Sequence, residues 1–146
     1  MLLNQPEYKL KSQLQQITLV HYKYVKNYSP LLRPNAQVVN MSSVLGHLAY
    51  IPSSTLRSKF STPDLTIPQL SQLMNDFIND AENGKNVENG WGKSSYIISK
   101  VGLSALTNIQ QREFDKEELN KNISVNSVQP GYVVADMTRT QGCTDC

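Results

Sequence analysis

The chain has 146 residues, 39% hydrophobic and 18% charged, with a formal net charge of +2 at neutral pH. That length suits one domain, the balance excludes a disordered chain, and so small a charge makes no electrostatic case for nucleic acid or a membrane surface. No apolar run approaches the ~20 residues of a membrane span. The start, Met1 to Glu7, has neither the basic flank nor the apolar stretch of a secretory leader, so the sequence reads as cytoplasmic.

The first element is a helix over residues 8–28, where Leu10, Leu14, Ile17, Leu19, Val20 and Tyr24 recur at roughly helical spacing. Its end, His21 to Tyr28, mixes lysines with aromatic rings, as nucleic-acid surfaces do. An amphipathic helix with a buried aromatic face gives the same pattern and is the simpler reading. Pro30 and Pro34 end it, because proline cannot continue the helical hydrogen-bond ladder. Gln37 to Met41 is short, partly β-branched and flanked by loop residues, which predicts a buried strand. Ser42 to Gly46 leaves its carboxyl end.

A helical insertion over residues 53–92 follows. Ser53 and Ser54 cap a short helix running through Phe60, and Thr66 with Pro68 opens a second, with Leu70, Leu73, Met74, Phe77 and Ile78 as its apolar set and Gly84 at its end. Asn83 to Gly92 is loop. Another helix is predicted from Ser94 to about residue 114, burying Ile97, Ile98, Val101, Leu103, Leu106 and Ile109, then a charged loop over Asp115 to Asn122. Ile123 to Val128 reads as the second strand, closed by Pro130-Gly131. Helices between two strands predict an α/β domain with a parallel pair joined by a right-handed crossover.

Both cysteines lie at the end, Cys143 and Cys146. A CxxC pair can supply half a zinc site or a redox disulfide. Zinc wants four ligands, and His21 and His47 are both distant in sequence, so residues 138–146 read as a chemically silent tail and no metal is expected.

Tyr96 and Lys100 stand four apart on a predicted helix, which puts both side chains on one face. A free tyrosine exchanges protons poorly near neutral pH, its reference pKa being about 10; an ammonium beside a phenol stabilises the phenolate and makes it a usable acid-base group. Alone, such a pair is common surface decoration. Here Ser42-Ser43 and Pro130-Gly131 leave the carboxyl ends of the two predicted strands, the edge at which open parallel sheets bind ligands. A hydroxyl, a Tyr/Lys face and a Pro-Gly turn thus converge on one edge.

In this order, VVNMSSVLG (Val38 to Gly46), SSYIISK (Ser94 to Lys100) and NSVQPGYVVADM (Asn126 to Met137) resemble the serine, tyrosine-lysine and Pro-Gly motifs of short-chain dehydrogenases/reductases, over roughly residues 30–140. The 53 positions from Ser43 to Tyr96, and the Gly90-Trp91 pair before the tyrosine, are most similar to the monomeric NADPH-dependent carbonyl reductases. The resemblance implies a partial Rossmann-like doubly wound parallel sheet, NADPH as cofactor, a ketone, aldehyde or quinone as small-molecule substrate, and a monomer whose insertion covers the surface others use to associate. It implies Ser43 as the hydroxyl holding the carbonyl oxygen, Tyr96 as proton donor, and Lys100 as the group that tunes Tyr96 and binds the nicotinamide ribose. Pro130, Gly131 and Val133 would line the nicotinamide; Val44, Leu45 and Tyr132 would wall the substrate. Ser42 is the neighbour most easily confused with Ser43.

The departures are equally specific. No glycine precedes Gly46, so the family's glycine-rich phosphate turn is absent. Its Asn-Ala-Gly loop is absent too; Ile17 falls near the relay asparagine and Ala135 replaces a threonine. The sequence therefore predicts an unpaired sheet edge, thin covering of a parallel sheet, marginal stability and weak nucleotide binding. The alternative to an NADPH-dependent carbonyl reductase is a truncated, inactive homologue acting at most as an interaction fragment. A basic-aromatic binding module rests on residues 21–28 alone.

Overall fold

A computed structural model of the chain describes residues 29–116 and 121–131, together with Asn27. The predicted helix over 8–28, with all but Asn27 of its basic-aromatic end, lies outside them, as do Tyr132, Val133, Ala135 and the cysteine tail. After a 3-10 turn at Ser29–Leu31 come strand β1 (Gln37–Met41), 3-10 turns at Val44–Gly46 and Leu48–Tyr50, helices α1 (Ser54–Phe60), α2 (Ile67–Glu82) and α3 (Ser95–Lys116), and strand β2 (Ser124–Val128). The strands pair in parallel, Gln37 opposite Ser124 and Met41 opposite Val128. This is an α/β architecture with a partial Rossmann-like arrangement.

The helices start where their side chains satisfy the free backbone donors of a first turn. Ser53 accepts from the Leu56 amide. Thr66 and Gln69 form a reciprocal capping box ahead of Pro68. Ser94 accepts from the Ile97 amide. At the other end, α3 runs two residues past its predicted stop, through Asp115 and Lys116. Gln111 Nε2 donates to the Asp115 carboxylate at 2.8 Å across one turn, which extends the helix into residues that composition alone reads as loop.

The core gathers around α3. Ile98, Val101, Leu106 and Ile109 are almost fully buried, packed with Leu70, Leu73, Met74 and Phe77 of α2 and with Ile51 before α1. Trp91 joins the insertion together. Its ring meets Phe60 and Phe77 edge-on, at centroid separations of 6.4 and 5.5 Å, and its indole N–H donates to Asp80 at 2.7 Å. Buried aromatic pairs in this geometry add to the area term, and a buried indole needs its partner. The Arg112 guanidinium reaches the carbonyls of Pro63 and Leu65, tying the loop between α1 and α2 to α3.

The sheet departs from expectation. Only Asn40 of β1 is fully buried; Val39 and Met41 are more than half exposed. From Val39 to Met41 the polar residue points in and the apolar ones point out, while Val38, on the Asn40 face, is half-buried. The reason is that α3 covers one face: Asn40 Nδ2 donates to Thr107 Oγ1 at 2.9 Å and Gln110 Oε1 at 2.8 Å, so the inward position demands an amide. No described residue buries the opposite face. The outer edge of β2 is partly closed by one side chain. Gln111 accepts from the Val125 amide at 2.7 Å and donates to the Ile123 carbonyl at 3.1 Å, standing where a further strand would pair.

Gly90 follows from Trp91's placement. Its φ is +82°, and a Cβ there would sit 2.5 Å from Ser53 Cβ. Gly84 has φ +69° but open space around it. Gly84→Ala should therefore cost only the left-handed backbone penalty, about 1–2 kcal/mol, while Gly90→Ala should cost at least ~2 kcal/mol more because overpacking is added. Urea midpoints of the two variants, compared with the parent, check this; equal losses would contradict it.

Candidate active site

At the carboxyl ends of the paired strands, the chain turns away twice. Beyond Met41, Ser42 donates its amide to the Val128 carbonyl at 2.9 Å, which carries the ladder one step past β1 and then releases the chain into the 3-10 turn. Beyond Val128, Pro130 and Gly131 lie exposed, Gly131 with φ +77°. The amino-terminal part of α3 reaches this end of the sheet at the Met41 carbonyl, through Lys100.

The two serines divide their work. Ser42 is buried, its hydroxyl 3.2 Å from Ser104 Oγ on α3. Ser43 is half-buried and extended, and its Oγ accepts from the Leu45 amide at 3.2 Å as the cap of the 3-10 turn. A hydroxyl that accepts one bond keeps its proton and a second lone pair, so Ser43 can still bond an oxygen brought to this edge. Val44 beside it is exposed and Leu45 half-buried.

On α3, Lys100 Nζ lies 5.7 Å from the Tyr96 ring centroid, within the range of a cation–π contact. The same ammonium donates to the Met41 main-chain carbonyl at 2.9 Å. One cation thus connects the tyrosine to the end of β1, one residue before the serine pair. Tyr96 itself is 47% exposed, so its ring is open to a ligand arriving at the sheet's edge. The structure brings Ser43, Tyr96, Lys100 and the Pro130-Gly131 turn to the same end of the sheet. Tyr132 and Val133 lie outside the described residues. Sequence reasoning missed the Met41 carbonyl, which no motif could mark because every residue has one. It also missed Ser104, one helical turn after Lys100 on the same face; that spacing was the available signal.

The described residues contain no cluster of three or more His, Cys, Asp or Glu suited to a metal ion, and no helix among them is long and apolar enough to cross a membrane.

A parallel strand pair with a serine turn and a Tyr/Lys helix at its carboxyl edge is the arrangement of short-chain dehydrogenases/reductases, and comparison with known proteins shows that the chain is a homologue of that family. No family model matches it. It is 37% identical over 114 residues to the NADPH carbonyl reductase 3 of Rattus norvegicus, covering 77% of this chain and 41% of that protein. Against the NADPH carbonyl reductase 1 of Sus scrofa the identity is 37% over 109 residues, covering 74% and 38%. Among solved structures, salutaridine reductase from Papaver somniferum superposes with a TM-score of 0.79 at 25% identity, over 91% of this chain and 45% of its own. Menthone neomenthol reductase from Mentha piperita gives 0.73, also at 25%, over 85% and 42%. The chain therefore spans about two fifths of the length of the carbonyl reductases it matches.

Tyr96→Phe should be a clean probe of this site. Removing one hydroxyl from a half-exposed ring should change stability by no more than about 0.5 kcal/mol. Thermal unfolding of both forms checks it, and a fall of several degrees would show that the hydroxyl is structural.

Proposed function

We propose that this chain carries the proton-donating part of a carbonyl-reducing site that works with NADPH on a ketone, aldehyde or quinone. The observation behind this reading is the Lys100 ammonium, held between the Tyr96 ring and the Met41 carbonyl beside the Ser43 turn.

The fit to a nicotinamide nucleotide differs between its two ends. The exposed Tyr96 and the Lys100 donor suit the ribose and ring, with Pro130 and Gly131 as backbone lining. The pyrophosphate end normally takes a glycine turn and an open helix N-terminus. Here α1, α2 and α3 are each capped by their own serine or threonine, and no glycine precedes Gly46. Among the described residues, those present hold the reacting end and leave the phosphates unclaimed.

When bound, NADPH supplies the hydride. Ser43 holds the carbonyl oxygen through its remaining hydroxyl capacity and orients it. Tyr96 donates its phenolic proton to that oxygen as negative charge develops on it. Lys100, fixed by the Met41 carbonyl, keeps positive charge beside the phenol and stabilises the phenolate left behind. Val44 and Leu45 offer apolar surface to the rest of the substrate. The chain acts as a monomer in this reading: α2 lies against α3 so closely that a Cβ at Gly102 would come 3.0 Å from Met74 Sδ, so the insertion occupies that face of the helix.

With NADPH at millimolar concentration and menadione as acceptor, the purified chain should oxidise the nucleotide. Tyr96→Phe should slow it by ~10²-fold or more, the usual contribution of a positioned proton donor. Absorbance at the nicotinamide band follows both. A folded protein with no turnover above buffer, or equal turnover in Tyr96→Phe, would contradict the reading.

A further inference from the structure

Behind the proposed site the serine turn packs along α3, with a close approach at Gly46. Gly46, the last residue of the 3-10 turn, is buried against the helix. A Cβ there would lie 2.7 Å from Ser42 Oγ, 2.9 Å from the Lys100 carbonyl oxygen and 3.0 Å from Ser104 Oγ. Contacts below 3.0 Å are ones that real Cβ atoms essentially never make, so any side chain at position 46 forces the turn away from Lys100. The hydroxyls around it form a directed chain. Ser104 Oγ donates to the Lys100 carbonyl at 3.1 Å. A hydroxyl has one proton, so in the 3.2 Å contact between the two serines Ser42 is the donor. The run is therefore Ser42 to Ser104 to the backbone of Lys100, with Gly46 filling the space that this leaves.

We propose that Gly46, Ser42 and Ser104 form a spacer that sets the separation between the Ser43 hydroxyl and the Tyr96–Lys100 face, which makes Ser104 a positioning residue for carbonyl reduction. Ser104 acts through its neighbours and touches no substrate. The serine-bearing turn packs on α3, and the Ser42–Ser104 contact is the side-chain hydrogen bond that fixes its distance from that helix. The turn is three residues long, and its cap bond, Ser43 Oγ to the Leu45 amide, is internal to it. The Met41 carbonyl that holds Lys100 enters at the preceding strand end, so a shift of the turn relative to α3 moves Ser43 without moving Lys100. Misplacement of a reacting group by about 1 Å is worth up to ~10²-fold in rate. A spacer of two hydroxyls and a missing methyl is the size of device that controls such distances. This inference rests on the reading of Ser43, Tyr96 and Lys100 given above.

The test uses the full chain, ¹⁵N-labelled and with labelled tyrosine, as parent, Ser104→Ala and Gly46→Ala. Two readouts are taken on each: NADPH-dependent menadione reduction, and the NMR resonances of the Leu45 amide, the Tyr96 ring and the Trp91 indole. Ser104→Ala should lower kcat by about 10-fold with KM changed less than about twofold, and Gly46→Ala should lower it further. The Leu45 and Tyr96 resonances should move in both variants, while the Trp91 indole, in the insertion, should stay in place. Unchanged kcat for Ser104→Ala in an active enzyme overturns the spacer, while loss of turnover in Tyr96→Phe still supports the site. If the parent has no turnover, the reading of the site fails, and the resonances decide alone. Movement at Leu45 and Tyr96 then supports the spacer, and shifts confined to the neighbours of residue 104 overturn it. If Gly46→Ala does not fold, Ser104→Ala, which adds no volume, carries the decision.

Discussion

The structure depends on one constraint: α3 must be buried on nearly every side. From Ile98 to Gln110 only Lys100, Ser104 and Asn108 escape full burial, so the helix is a central post. β1 and β2 lean on it, α2 packs along it, and Arg112 pulls the loop between α1 and α2 onto it. A helix enclosed in this way has little solvent face to carry charge, and from Val101 to Leu106 it is built of Val, Gly, Leu, Ser and Ala alone. Small residues stand where neighbours come closest: Gly102 beneath Met74, Ser104 beneath Gly46. The first turn is the exception. At the carboxyl edge of the sheet Tyr96 is exposed and Lys100 half-buried, the two polar side chains of the proposed site.

The polar contacts between β1 and α3 follow from the same enclosure. Asn40 and Gln110 are both at most 3% exposed. Burying amides costs free energy unless they are bonded, and Asn40 spends both its donors on Thr107 and Gln110. Gln110 Nε2 is left with no partner among the described residues. Such a network fixes the register between strand and helix more narrowly than apolar packing would, because a shift of one residue breaks both bonds at once. That register carries the site, since Met41, whose carbonyl holds Lys100, is the next residue along β1.

Much of this was legible in the sequence because the signals are local. Ser53, Thr66 with Pro68, and Gly84 mark helix ends by satisfying backbone groups within a few residues, and they stand where the structure has them. The parallel pairing followed from the α/β order. What stayed hidden depends on contacts made far along the chain. Val39 and Met41 look like core residues until it is known that α3 covers one face only. Asn40 looks like a strand-end polar residue until it meets Thr107 and Gln110, which follow it by 67 and 70 positions. Of the site, the Tyr96–Lys100 pairing could be read from helical spacing, and the choice between Ser42 and Ser43 could not. Both sit at the same strand end, and only the contact with Ser104 separates the buried hydroxyl from the available one.

The central proposal is that the described residues offer the reacting end of a nicotinamide site and little for the phosphates, a reading supported by their capped helix starts and by the absence of any glycine before Gly46. The most direct test compares reduced nicotinamide mononucleotide with NADPH by fluorescence titration of the same protein, with Tyr96→Phe alongside. The account predicts dissociation constants within a few-fold of each other, because the adenosine and pyrophosphate half finds no dedicated partner. NADPH binding ~100-fold tighter, a gain of about 2.7 kcal/mol, would contradict it and show that this chain holds a phosphate site of its own.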